Sequence, residues 1–189
     1  MTRFRLRPDG NAVTDGMSVR EFDDKLRAYF EYLRPKRAEM PKDLWRFFAE
    51  DFFHDGPLEK MKLRLEQRHL RFDLTCPNVK RFSAPDTFDF VNVGFRVVID
   101  HVWSMTLHAV DDDGNRDIFT QFWAAEVDAE EEGIRAASLS RDEVHHSVTL
   151  HTSRFWLTVV FCNMSVEPLE PAATDLMLAD PRYVFPFAK

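Results

Sequence analysis

A change of period constrains this chain more than any other feature. The run Trp45-Arg46-Phe47-Phe48-Ala49-Glu50-Asp51-Phe52-Phe53 puts five aromatic rings into nine residues and stops at the polar turn His54-Asp55-Gly56-Pro57. Before the turn, apolar residues recur at helical spacing; after it, they alternate. A chain that makes this switch once has to lay helices against a sheet, since neither element can bury its apolar side alone. The expected class is α+β: two N-terminal helices, then a mostly antiparallel β-sheet or sandwich of about six to eight strands.

On this reading residues 1–189 form a single domain: an N-terminal arm (1–16), a helical head (17–56), a β-rich body (57–167) and an irregular C-terminal tail (168–189). Ser18 and Glu21 have capping-box spacing, flanked by Met17 and Phe22 at staple positions. Phe22, Leu26, Tyr29, Phe30 and Leu33 then predict an amphipathic helix over 19–34, ended by Pro35. A second helix starts near Pro41 and carries Leu44, Trp45, Phe47 and Phe48.

In the body, Met61, Leu63 and Leu65 alternate with Lys62, Arg64 and Glu66. Leu70, Phe72, Leu74 and Cys76 alternate with Arg71, Asp73 and Thr75. These predict two strands joined near Gln67-Arg68, with one helix from Pro57 to Phe72 as the rival. The apolar parity from Val91 to Ala109 would make one strand of about 60 Å at ~3.3 Å per residue, too long for a domain of this size. A turn near Asn92–Gly94 or a strong bend near Asp100 is therefore required. Asp111–Asn115 reads as a hairpin turn that returns Ile118–Val127 beside the outgoing strand, with Trp103 facing Trp123. Glu130–Gly133 reads as another turn, followed by strands over about 134–139, 144–152 and 154–166. The segment Phe155–Cys162 is apolar in both parities and should be central. Prolines 168, 171, 181 and 186 suggest that the tail lacks regular structure.

Composition excludes some functions. A net charge of −7 argues against nucleic acid as partner, and a basic protein is the partner an acidic surface suits. Lys60, Lys62, Arg64, Arg68 and Arg71 read as the solvated face of a strand. No apolar stretch approaches the ~20 residues of a membrane span, and Cys76 and Cys162 lack metal-type or redox-type spacing, so a reducing, cytoplasmic setting is expected. Eighteen Phe, four Trp and three Tyr against six Gly point to a core built from large rings.

The candidate contact residues are His54, Asp55, His101 and Trp103. His54-Asp55 is the one His-Asp dipeptide, but Gly56-Pro57 breaks the helix that a metal-dependent phosphohydrolase of this signature would need, so a turn role is expected. His101 falls in an apolar parity between Ile99 and Trp103, where the alternatives are a satisfied core or edge histidine and a general base or ligand contact. His145 and His151 share a strand face but lie ~20 Å apart along it, and His146 points the other way. Asp111, Asp113 and Asn115 imitate a calcium loop that then fails at Arg116 and Phe122. No catalytic residue, cofactor or metal is expected from these spacings, although ligands brought together from different strands are invisible to them.

Phe53-His54-Asp55-Gly56-Pro57-Leu58, Met61 and Leu70-Arg71-Phe72-Asp73-Leu74 resemble a pattern in uncharacterised bacterial domains, some grouped with immunity proteins of polymorphic toxin systems. The resemblance covers about residues 44–127 and implies a small α+β protein that acts by protein binding. Asp43–Gly56 superficially resembles the second helix of the cone-shaped ligand-pocket family of the nuclear transport factor type, but no third helix follows. Two functions remain: a non-enzymatic interaction protein, immunity-like if the resemblance carries over, or a small-molecule binder or enzyme with an aromatic pocket between helices and sheet.

Overall fold

The helical spacing near the N-terminus becomes α1 (Val19–Leu33) in a computed structural model that describes residues 19–49, 53, 56–109, 120–128, 131–141 and 143–185. The arm, Ser18, His54, Asp55 and the Asp111–Asn115 turn lie outside the described residues. After α1 the chain makes a 3-10 turn, Arg34–Lys36, with Pro35 inside it. Helix α2 (Lys42–Leu44) follows Pro41 and runs on as a π-helical turn, Trp45–Ala49, burying Leu44, Phe47, Phe48 and Ala49.

Gly56 then begins the sheet. β1 (Pro57–Arg64) and β2 (His69–Ala84) are the two strands of residues 57–75, joined by the 3-10 turn Leu65–Gln67. β2 does not end at Pro77. Pro77 and Asn78 sit in a bulge between Cys76 and Val79, where a residue without an N–H costs no ladder bond, and pairing resumes beyond it. β3 (Thr87–Asp100) runs unbroken through Gly94, so the long apolar parity is relieved at Asp100, the second of the two expected positions. β4 (Ser104–Ala109), β5 (Thr120–Val127), β6 (His146–Thr152), β7 (Phe155–Phe161), β8 (Asn163–Pro168) and β9 (Tyr183–Val184) complete nine strands among the described residues. Every pairing is antiparallel.

The order β4-β7-β6-β5-β1-β2-β3-β8 places β7 between β4 and β6, inside the sheet as its double-sided apolarity required. It also overturns the local hairpin. β5 pairs with β6 and β1, whereas β4 pairs with β7, so Trp103 does not face Trp123. The bend carries β4 away from its neighbour in sequence, and β7, which makes the same bend on entering β8, travels with it.

Three further expectations are corrected. Residues 134–139 are not a strand but part of α3 (Glu131–Arg141), and Glu130–Gly133 is largely its first turn. The glutamates favour a helix N-terminus, and Ala136 and Ala137 favour helix over strand. Residues 154–166 are two strands broken at Cys162. The tail holds α4 (Pro171–Ala179), started by Pro171 in its first turn, and β9, which pairs with β2. Helices are thus spread along the chain rather than confined to the N-terminal head. No helix among the described residues is long and apolar enough to cross a membrane.

The core lies between the helices and the alternating faces of the sheet. Leu70, Phe72, Leu74 and Cys76 of β2 oppose Ile99, Val97, Phe95 and Val93 of β3, all buried. Phe47, Phe48 and Phe53 fill the space above them, with ring centroids 5.5 Å apart for Phe47–Phe95 and 5.7 Å for Phe53–Phe95. Asp43 accepts the Val166 N–H at 2.9 Å, docking α2 on the edge strand β8 and occupying one of its free donors.

Gly56 shows how tightly head and body join: a Cβ there would lie 1.9 Å from the Thr75 carbonyl oxygen, a backbone atom of β2. At Gly94 a Cβ would meet only the flexible Leu169 side chain, at 2.8 Å. Gly56→Ala should therefore cost about 3 kcal/mol and Gly94→Ala about 1 kcal/mol or less, read by urea unfolding. Equal costs would show that the junction has room to relax.

Candidate functional site

Two tyrosines on one face of α1 anchor the helix to the end of β5. The Tyr29 hydroxyl accepts the Val127 N–H at 2.5 Å, and the Tyr32 hydroxyl donates to the Asp128 carbonyl at 2.7 Å. Lys36, one turn further, donates to the Tyr32 hydroxyl. Asp128 itself takes φ 49°, a left-handed conformation uncommon for a residue with a side chain. That conformation lets its backbone N–H donate to Ser147 O at 2.8 Å while its carboxylate accepts the Ser147 N–H at 2.9 Å and meets His146 Nδ1 at 3.2 Å. Both side chains of the Asp128–His146 pair are about 6% exposed. A buried carboxylate needs such partners, and here two of them come from the start of β6.

His145, 2% exposed, turns the other way. Its Nδ1 lies 2.9 Å from the Glu143 carbonyl, which can only accept, so Nδ1 carries a proton and, in the neutral imidazole, Nε2 holds the lone pair. Nε2 is buried and has no hydrogen-bond partner among the described residues. The Trp103 ring lies edge-on to the same imidazole, with centroids 6.2 Å apart. A cleft of about 380 Å³ opens here, lined by Lys36, Glu39, Asp128, Glu143, His145 and His146 among others. No Phe, Trp or Tyr among the described residues lines it.

Next to Trp103 is the crease where the strands change direction. His101, with φ 54°, leaves the β3 parity at this point and becomes exposed, so it is not the core histidine that alternation placed between Ile99 and Trp103. Arg68 braces the crease, donating from Nε to Val102 O at 3.0 Å. One donor atom each from His101, Glu143 and Cys162 lie within 4.8 Å of one another. The Cys162 thiol donates to Glu143 Oε2 at 3.2 Å. Beside them His69 Nδ1 and Asp100 Oδ1 are 2.7 Å apart.

Of the four contact residues read from the sequence, His101 and Trp103 thus meet at one corner, while His54 and Asp55 lie outside the described residues. Asp128, Glu143 and Cys162 were missed, because they sit in separate links between elements and share no spacing. His145, just before β6, and His146, its first residue, meet different neighbours, yet both line the same cleft. His151 lies elsewhere, against Trp156 at 5.2 Å.

A second surface stands at the far end of β2 and β3. Phe82 faces Phe88 across the hairpin with centroids 5.4 Å apart, and Phe88 meets Phe90 edge-on at 5.4 Å. Phe88 is 40% and Phe90 60% exposed. Lys80 lies 4.7 Å above the Phe88 ring, and its pairing partner Val184 on β9 is also exposed.

Two outcomes follow for the cleft corner. Asp128→Ala should lower stability by about 2–4 kcal/mol in urea unfolding, because it strands the buried Ser147 N–H and His146; Asp128→Asn should cost about half as much. Burial pushes the Cys76 thiol up to about 11, so it stays protonated and unreactive near neutral pH. A maleimide added to the native chain should label half-buried Cys162 and reach Cys76 only in denaturant. Labelling of Cys76 first would mean that β2 opens readily.

No family model matches the chain, and neither the curated proteins nor the solved structures compared with it contain a match.

Proposed function

We propose that the chain acts by holding a protein partner, without chemistry of its own, on the aromatic face of the β2–β3 hairpin. The observation that carries this reading is the contrast between two sets of rings. Phe47, Phe48, Phe53 and Phe95 are packed in the interior, whereas Phe88 and Phe90 remain 40% and 60% exposed near a hairpin tip. An exposed Phe forgoes roughly 1.5–3 kcal/mol of burial, and adjacent exposed rings of this kind are characteristic of contact surfaces. Lys80 beside Phe88 and the Arg81–Asp89 pair at 3.1 Å supply the polar rim that such surfaces carry. The resemblance to uncharacterised bacterial domains, some of them grouped with toxin-immunity proteins, supports the same class of action, and the net charge of −7 suits a basic partner by steering its approach.

The polar cleft favours a second reading, a small-molecule binder, on the strength of the Asp128–His146 pair and of His145 Nε2, which has no hydrogen-bond partner among the described residues. It takes second place because the Asp128 carboxylate is already committed to the Ser147 N–H and His146.

The test is a photo-cross-linking residue at position 90 in cells of the source, and a second one at Glu39 in the cleft. The partner caught at position 90 is then purified. Phe88→Ser/Phe90→Ser should weaken its binding at least about tenfold, or ~1.4 kcal/mol, with thermal unfolding unchanged. Affinity unaffected by the double substitution would sink the reading. A small compound retained in native mass spectrometry and lost in His146→Ala would favour the cleft.

A further inference from the structure

We propose that His101, Glu143 and Cys162 form a site for one divalent cation of the zinc class, with a fourth coordination position left to water or an incoming ligand. The three residues come from three separate links: β3 to β4, α3 to β6, and β7 to β8. Their convergence follows from register. Asp100 pairs with Asn163 on one side of the crease and Ser104 with Val160 on the other, so His101 and Cys162 are carried to the same bend. Glu143 arrives on the link between α3 and β6, its carbonyl fixed against His145 Nδ1 at 2.9 Å.

The donor set is one sulfur, one imidazole nitrogen and one carboxylate oxygen. That mixture suits zinc and its transition-metal neighbours and is unsuited to magnesium or calcium, which take oxygen ligands. Three protein ligands plus an open position is the arrangement of a zinc site that keeps a place for water or substrate. Tetrahedral zinc, with bonds of about 2.3 Å to sulfur and 2.0–2.1 Å to nitrogen or oxygen, sets its donors about 3.5 Å apart. The Cys162–Glu143 separation of 3.2 Å is already close to this, and the whole set within 4.8 Å needs only rotation of the exposed His101 and Glu143 side chains.

Two independent features point to a ligand here. His101 holds φ 54°, and strained conformations of residues with side chains concentrate where a function requires them. Glu143 also lines the polar cleft next to His145, whose buried Nε2 has no hydrogen-bond partner among the described residues. An ion held by Glu143 would thus border the cleft that Glu143 and His145 both line. Binding is balanced by one proton: the Cys162 thiol loses it to solvent as the sulfur–metal bond forms, and no electron is transferred. The site is separate from the hairpin tip, so it stands or falls independently of partner binding there.

The full chain, stripped with a chelator under a phosphine reductant, is titrated with Zn²⁺ against a chromophoric chelator and with Co²⁺ by absorbance. One equivalent of each should bind, and the Co²⁺ form should show a thiolate-to-cobalt charge-transfer band. Cys162→Ser should abolish that band, and Cys162→Ser, His101→Ala and Glu143→Gln should each weaken Zn²⁺ by about tenfold or more. Cys76→Ala, at the other cysteine, should keep both band and affinity. Circular dichroism of every variant without metal checks that the fold is retained. Absence of saturable one-to-one binding would overturn the proposal, as would a band that survives Cys162→Ser or disappears in Cys76→Ala.

Discussion

The architecture depends on one crease, where β3 passes into β4 and β7 into β8. Neither pair of strands could continue straight without leaving the domain, and because they are neighbours they have to bend together. Asp100↔Asn163 is the last pair on one side, and Ser104↔Val160 lies on the other. Three residues span the gap on the first chain segment and two on the second, so the register slips by one across the bend. His101 absorbs the mismatch with its left-handed backbone, the Trp103 N–H reaches Val160 O at 2.7 Å, and the Val102 N–H is taken by Arg68 O at 2.9 Å. The bend joins two four-stranded halves of the sheet, which meet again where Pro57 and Leu58 of β1 pair with Gln121 and Thr120 of β5.

The two halves are held to the helices by different physics. On the β1–β2–β3–β8 side the contact is chiefly apolar and ring-filled, through Phe47, Phe48, Phe53 and Phe95, with the Asp43–Val166 bond at its edge, and its strength comes mainly from area removed from water. On the β5–β6–β7 side it is directional: Tyr29 and Tyr32 hydroxyls meet the end of β5, and the Asp128 carboxylate meets Ser147 and His146. Hydrogen bonds of this kind add little net energy when satisfied, but an alternative packing would leave buried donors unpaired. They therefore fix how α1 seats on the sheet, and the polar cleft lies beside that contact.

Much of the first half of the fold was legible because it is written in short-range period. α1, the start of α2 at Pro41, the two strands after Gly56 and the bend near Asp100 all follow from spacing within about ten residues. α3 and α4 are not legible because a six-residue apolar–polar segment fits strand and helix equally well, and because a proline that breaks a helix interior also starts a helix in its first turn, as Pro171 does. The pairing of β5 escaped for another reason: a hairpin was inferred from closeness in sequence, whereas β5 found its partners in β6 and β1.

The site shows the same boundary more sharply. Sequence placed His101 and Trp103 at a point of interest and observed that His145 and His146 must face different surroundings. It contained nothing to join them with Asp128, Glu143 and Cys162, residues up to 61 positions apart from His101. What the sequence by itself determined was element type wherever periodicity was strong, the helix-to-sheet junction at Gly56, and the need for a bend. Tertiary structure alone decided which strands pair across that bend and which links meet at the crease. Periodicity is a property of neighbouring residues, whereas a site assembled from three links depends on register between strands distant in sequence.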